Sequence, residues 1–145
     1  MSMIPGLERP IPVPNELTKP FWDAANEKKL VVQNCTSCNI NHYPPKQRCS
    51  NCDSTAPLQW KEVEGKGHID VFFVIRDSRI RGFRSAQPIN FVVITLDEDP
   101  GINFLSNLPG TPAGQVPVGA PVEVVFDESG EGSGQLVPEW RVIEG

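Results

Sequence analysis

Residues 35–52 read CTSCNINHYPPKQRCSNC and hold all four cysteines of a 145-residue chain. Cys35-x-x-Cys38 and Cys49-x-x-Cys52 form two hooks, each offering two thiolates to one ion, and the ten residues between them let one hook fold back on the other. Tetrahedral thiolate coordination is the expected result, with zinc the best-fitting occupant; iron takes the same four ligands and stays open. Four protein ligands leave no place for water or substrate, so such a metal holds structure and performs no chemistry. A hook of this kind turns sharply after its second cysteine. Asn39 and Asp53 stand there, the non-glycine types that best tolerate positive φ. A thioredoxin-like redox pair is disfavoured because neither hook opens a helical pattern. His42, between the hooks, is read as a solvated loop histidine, since the thiolates already complete the shell.

The length suits one ordinary domain, or a small module joined to a modest one. No stretch of eighteen residues is apolar, and MSMIPGLERPIPVPNEL lacks the basic and apolar regions of a signal peptide. The expectation is a soluble cytoplasmic protein with no membrane partner, in whose reducing surroundings four cysteines serve a metal rather than disulfides. Fifteen prolines and twelve glycines lie mainly between short apolar runs and favour a loop-rich, mainly β chain. The net charge of −5 is unevenly spread: residues 35–84 carry eight bases against five acids, whereas residues 85–145 carry nine acids and only Arg141. An anionic ligand belongs with the middle segment.

Residues 1–17, with Pro5, Pro10, Pro12 and Pro14, predict an extended arm. Whether it is a loose tail or lies on a partner stays open. Residues 18–60 are assigned to a helix and the metal ribbon. In TKPFWDAANEKK, Thr18 is the expected cap, Pro20 sits harmlessly in the first turn, Phe21, Trp22 and Ala25 share a face, and Lys28 and Lys29 suit the negative end. LVVQN then leads into the first hook as a strand. Residues 61–145 are assigned to five strands. In HIDVFFVI, strict alternation puts Ile69, Val71, Phe73 and Ile75 on one face and His68, Asp70, Phe72 and Val74 on the other. Residues 90–97 and 102–108 flank EDPG, which predicts a hairpin closed by a type II turn at Pro100-Gly101. PVEVVFD and residues 135–143 supply the last two strands, the Pro in the latter marking an edge or a bulge. Five strands after a metal hook is the count of a small OB-fold barrel. His68 marks the start of the first barrel strand, with no recognisable carboxylate or nucleophile paired to it.

Taken in order, FW near a short helix, LVVQNCTSC, YPP, CSNC, LQWKEVEGKG, a long strand, FVVITLDED, VGAPVEVVF and PEWR resemble a known family. These are the zinc-ribbon plus OB-fold proteins, once catalogued as a domain of unknown function, that accompany thiolases and related acyl-CoA enzymes. The resemblance runs from about Thr18 to Arg141 and rests chiefly on the double hook with YPP inside it and on the GKG that opens the first barrel strand. Family members usually have Gly where this chain has Asn39. The resemblance implies a non-catalytic subunit in a hetero-oligomer with a thiolase-like protein, helping to bind the acyl-CoA substrate in cleavage or condensation of β-keto or β-hydroxy acyl-CoA. The nucleophilic cysteine would belong to the partner. It selects neither acyl group nor pathway.

One segment is a candidate for touching substrate. In RDSRIRGFRSAQP, Arg76, Arg79, Arg81 and Arg84 gather four guanidinium groups within nine residues, and guanidinium forks match the phosphates of coenzyme A. Gly82 and Phe83 are read as a flexible point and an apolar tip. The competing reading is a solvated basic loop, or one that pairs with acids on a partner. Two other functions stand beside the subunit reading. A single-stranded nucleic-acid binder would stack bases on Phe91 and Phe104, but Asp97, Glu98 and Asp99 adjoin them and no nucleic acid is expected. A pure scaffold would bind a partner enzyme without touching coenzyme A. Both faces of FVVI and VFFVI are apolar, so one barrel wall must be covered by the ribbon, the helix or another chain.

Overall fold

The computed structural model describes residues 2–53 and 55–144; Met1, Ser54 and Gly145, which include the outer ends of the expected arm and barrel, lie outside the described residues. Two sheets follow one helix. α1 spans Lys19–Asn26. β1 (Leu30–Cys35) is flanked by β2 (Asn41–His42) and β3 (Leu58–Val63) in a three-stranded antiparallel sheet. β4 (Lys66–Ile75), β5 (Ile89–Leu96), β6 (Asn103–Ser106), β7 (Pro121–Glu128) and β8 (Leu136–Val142) form the second, in the order β6-β5-β4-β7-β8. A single turn, α2 (Arg81–Arg84), interrupts the β4–β5 loop. The outer strands β6 and β8 meet through side chains. Ser106 Oγ donates to Glu139 Oε2 at 2.6 Å and accepts the Trp140 N–H at 3.0 Å, nearly closing the barrel.

The helix is capped differently from the expectation. Asn15 and Thr18 cap each other: Asn15 Oδ1 accepts the Thr18 N–H at 2.9 Å and Thr18 Oγ1 accepts the Asn15 N–H at 3.0 Å. The reciprocal bond satisfies two donors at the entry, so Asn15 does what was assigned to Thr18. At the other end, Lys28 takes φ 59° and its N–H reaches Ala25 O, while the Lys29 N–H reaches Ala24 O. That is a Schellman stop, made by backbone rather than by lysine charge. Phe21 and Ala25 are buried, and Phe21 joins Leu30, Val32, Ile69, Val92, Ile94 and Trp140 in one core. Ribbon and barrel therefore share apolar packing.

The alternation expected along β4 does not persist. Ile69 pairs with Ile94 but Val71 with Val93, so Asp70 is an extra residue, a bulge. One inserted residue exchanges the two faces beyond it. Ile69 points into the core, Phe72 packs against it further along, and Val71 and Phe73 turn outward. Outside, Val71, Val93 and Leu105 lie in one cross-strand row and Phe73 opposes Phe91 in the next. Phe73 and Phe91 stack at 5.4 Å with 12° between planes. Val71, Phe73 and Leu105 remain exposed, so neither ribbon nor helix covers that wall. The β5–β6 hairpin forms, but its turn is not type II. Gly101 stays out of positive φ. Asp99 Oδ1 takes the Gly101 N–H at 3.0 Å and Asp99 O takes the Ile102 N–H at 2.9 Å, an Asx-supported turn. Phe104 is interior, against Tyr43 and Trp140. It offers no surface for a base.

The N-terminal arm lies on its own barrel. The Glu8 N–H donates to Gly82 O at 2.9 Å, and a Cβ at Gly82 would meet Glu8 O at 1.7 Å. Gly82 is therefore the point of closest approach between two backbones, not a flexible joint. Leu7 is buried, and Arg9 Nε and Nη1 reach Glu139 Oε1 at 3.0 Å and Asp127 Oδ2 at 2.5 Å. Asp127 also accepts the Ser2 hydroxyl and the Met3 N–H. Neither a loose tail nor a partner is needed to explain the arm's order.

Candidate functional site: a thiolate clasp and a basic loop

β1 delivers Cys35 at its last residue, and the two hooks converge beyond it. Asn39 (φ 60°) and Asp53 (φ 50°) make the expected left-handed turns, their N–H groups returning to Cys35 O at 2.9 Å and Cys49 O at 3.0 Å. The four sulfurs lie within 4.8 Å of one another, with Cys38–Cys49 at 3.6 Å and Cys35–Cys52 at 3.8 Å. A tetrahedron with metal–sulfur bonds of about 2.3 Å has edges of about 3.8 Å. The donor set fits a zinc-sized ion in a closed shell. The Asn51 amide lies 3.5 Å from Cys38 Sγ, and that bond first, with the Ile40 backbone N–H second, holds the Cys38 thiol down to about 6. The thiolate the metal needs is thus favoured at neutral pH.

His42 is not the solvated loop residue expected from sequence. β2 pairs with β1 at Gln33↔His42, which buries the ring to 7% exposure, and its Nε2 stands 3.1 Å from Cys49 Sγ. Burial, with Lys46 nearby, lowers its pKa and keeps it neutral. The Nε2–H donates to the sulfur and orients a ligand without replacing it. Gln33 clamps the loop between the hooks, donating to Lys46 O and accepting the Lys46 N–H. The Gln33↔His42 pairing was hidden from sequence because a two-residue strand has no periodicity.

Between β4 and β5, Arg76, Arg79, Arg81 and Arg84 are all exposed. Among the described residues Arg76, Arg79 and Arg81 form no ion pair with an acid, and Arg84 Nε donates to Ser78 O at 3.3 Å. Ser78 and Gln87 tie the loop's ends together at 2.9 Å. Phe83 is half-buried, its ring 6.0 Å from Phe91. Arg81 shares a cavity with Glu8, Glu128 and Glu131, an acidic lining unsuited to phosphate. His68 does have carboxylates near it: Nδ1 lies 3.0 Å from Asp97 and Nε2 3.5 Å from Asp70. The hairpin brings Asp97 there, 29 residues along the chain, which no local pattern announces.

The least legible group is the buried cluster of Arg9, Asp127 and Glu139. One guanidinium serves two carboxylates, and their pKa values separate. Burial would raise Asp127, but Ser2, Met3 and Arg9 together hold it below the ordinary range. Burial raises Glu139 despite Arg9, Ser106 and Asn107.

Comparisons with known proteins agree with this architecture. The family model described as the ChsH2 rubredoxin-like zinc ribbon domain matches residues 22–57, and that of the ChsH2 C-terminal OB-fold domain matches residues 60–127. A probable enoyl-CoA hydratase alpha subunit of Thermomonospora curvata is 28% identical over 120 residues, covering 81% of this chain and 35% of the relative. The 3-oxo-4,17-pregnadiene-20-carboxyl-CoA hydratase alpha subunit of Mycobacterium tuberculosis is 24% identical over 106 residues, 73% of this chain and 32% of the relative. The chain thus spans about a third of the length of these relatives. Among solved structures, the Ltp2-ChsH2(DUF35) aldolase superposes with a TM-score of 0.78 at 24% identity, covering 90% of this chain and 98% of that one. A DUF35-family protein of unknown function from Sulfolobus solfataricus gives 0.60 at 18% identity, covering 89% and 87%. At these identities the structural likeness is one of fold. With ribbon and barrel matched in order and the four sulfurs gathered at one point, the chain belongs to the ChsH2 family of paired zinc-ribbon and OB-fold domains.

Proposed function

We propose that this protein is a non-catalytic accessory subunit of an acyl-CoA-processing complex, more narrowly one whose partner is thiolase-type or a related aldolase or synthase. The observation that carries this reading is that all four cysteine sulfurs lie within 4.8 Å of one another, the arrangement of a closed four-thiolate clasp. A thioester-cleaving nucleophile then has to come from another chain. The relatives' names supply the direction: two are alpha subunits of hydratases with CoA in their names, and one structure is an aldolase named for two components. The clasp holds zinc and is structural. The basic loop meets the coenzyme A ester in the assembled complex, with Arg76, Arg79 and Arg84 the groups for phosphate, since Arg81 faces acids. Phe83 backs the loop against the barrel rather than reaching outward.

The exposed apolar row of Val71, Phe73 and Leu105 supports a pure scaffold as the second reading. Replacing Arg76, Arg79 and Arg84 with Ala separates the two. The subunit reading expects CoA-ester binding by the assembled complex to weaken about tenfold or more with assembly intact. Unchanged affinity would leave the scaffold.

A further inference from the structure

β4 outlasts one of its two neighbours. β5 pairs with it as far as Ile75, but β7 leaves at His68, after which only Ile69 is bonded on that side, through Ala120 and Gly119. The Leu96 N–H turns to Ile102 beside β6, so the alternate β5 residues Thr95, Val93, Phe91 and Ile89 face β4. Their partners Val71, Phe73 and Ile75 spend their backbone groups on β5. Phe72 and Val74 therefore aim N–H and C=O the other way, where no described residue bonds them. Residues 71–75 carry neither charge nor proline, the usual guards of an open edge.

The charges beside this edge select its occupant. Residues 70–76 read DVFFVIR, an acid at one end, a base at the other and Phe73 at the centre. Two copies running antiparallel about a two-fold axis at Phe73 set Asp70 opposite Arg76, Val71 opposite Ile75 and Phe72 opposite Val74. Only this register lets the free groups of Phe72 and Val74 bond each other; centring on Phe72 puts Asp70 against Val74, and centring on Val74 puts Arg76 against Phe72. Arg76 is exposed and pairs with no acid among the described residues. Asp70 is exposed too; it accepts the Thr95 hydroxyl, and its Oδ1 faces His68 at 3.5 Å, which leaves lone pairs to spare. We propose that the open edge of β4 joins two copies of this chain into a symmetric dimer, with Asp70 and Arg76 pairing across the axis. A guanidinium has five donors, so Arg76 keeps an edge for phosphate. The axis stands perpendicular to the sheet and brings the exposed Val71, Phe73 and Leu105 of both copies to one side as a single wall. One strand pair is a small interface, so the expected affinity is micromolar.

The test follows the mass of the full-length, metal-loaded protein by sedimentation across a concentration series, with amide exchange on the same samples. Mass should rise from 16.0 kDa toward twice that value. Exchange at Phe72 and Val74 should slow about tenfold or more as the dimer fills, while Val71 and Phe73, already bonded to β5, change little. Asp70→Lys sets like charges against Arg76, and Arg76→Asp sets like charges against Asp70, so each alone should weaken self-association about tenfold or more. An equimolar mixture of the two variants, in which every cross-axis pair is opposite in sign, should dimerise as the wild type does. The wild-type exchange pattern decides the matter even if Asp70→Lys disturbs the bulge. Monomer at every concentration, a dimer whose Phe72 and Val74 amides exchange as they do in the monomer, or a mixture of folded variants no tighter than either alone would each overturn the proposal.

Discussion

Replacing Arg9 with Met tests the claim that the arm is part of the fold. Asp127 and Glu139 are 2% and 6% exposed and share this one cation. If the arm stays docked, two buried carboxylates lose their counter-charge, which costs about 3–5 kcal/mol. If the arm lifts to let water in, the chain forfeits the burial of Leu7, about 2 kcal/mol, and the Ser2 and Met3 bonds to Asp127, about 1 kcal/mol each. Both routes lead to about 3–5 kcal/mol, or on the order of 10–20 °C in Tm for a chain of this size. Urea unfolding followed by tryptophan fluorescence reads the loss, and limited proteolysis reads the arm. The triple variant R9M/D127N/E139Q removes cation and anions together and should recover most of the stability. A single variant costing under about 1 kcal/mol, or a triple no better than the single, would refute the reasoning.

Three further outcomes follow from the same contacts. Gly82→Val drives a Cβ into Glu8 O, so a glutamate-specific protease should cut after Glu8 in the variant well before the wild type, with the barrel's fluorescence unchanged. Asp127 is held below its ordinary pKa, so its stabilisation is present above about pH 4 and lost as pH falls through the folded value; Glu139 is raised, so its stabilisation is present below about pH 4.5 and lost as pH rises. The urea midpoint should therefore peak near pH 4–5, Asp127→Asn flattening the acid limb and Glu139→Gln the neutral one. Stripping the metal with a chelator should lower the melting temperature of the barrel as well as the ribbon, because Phe21, Leu30 and Val32 share the core of Val92 and Trp140; a barrel transition unmoved by metal removal would contradict a shared core.

The clasp and the five barrel strands were legible because each rests on a local pattern: paired x-x spacings for the cysteines, period-two runs for the strands, Asn39 and Asp53 at the turns. The errors arose where distant contacts decide. A bulge at Asp70 inverts half of β4, and nothing in HIDVFFVI announces it, since apolar residues fill both faces. His42 reads as a loop residue until β2 pairs with β1. Arg9 meets Asp127 and Glu139 across 118 and 130 residues, so the arm's anchor could not be found by spacing. Gly82 looked like a hinge because sequence shows a missing side chain but not the backbone that occupies its place.

The account's central claim is that the thiols hold a metal and the chemistry belongs to another chain. The most direct measurement isolates the protein gently from its native cells, identifies what accompanies it, and assays thioester turnover before and after separation. The account predicts a stoichiometric acyl-CoA-processing partner, with turnover by the assembly and none by the metal-loaded chain alone. Turnover by the isolated chain, with its cysteines open to alkylation in the folded state, would contradict it.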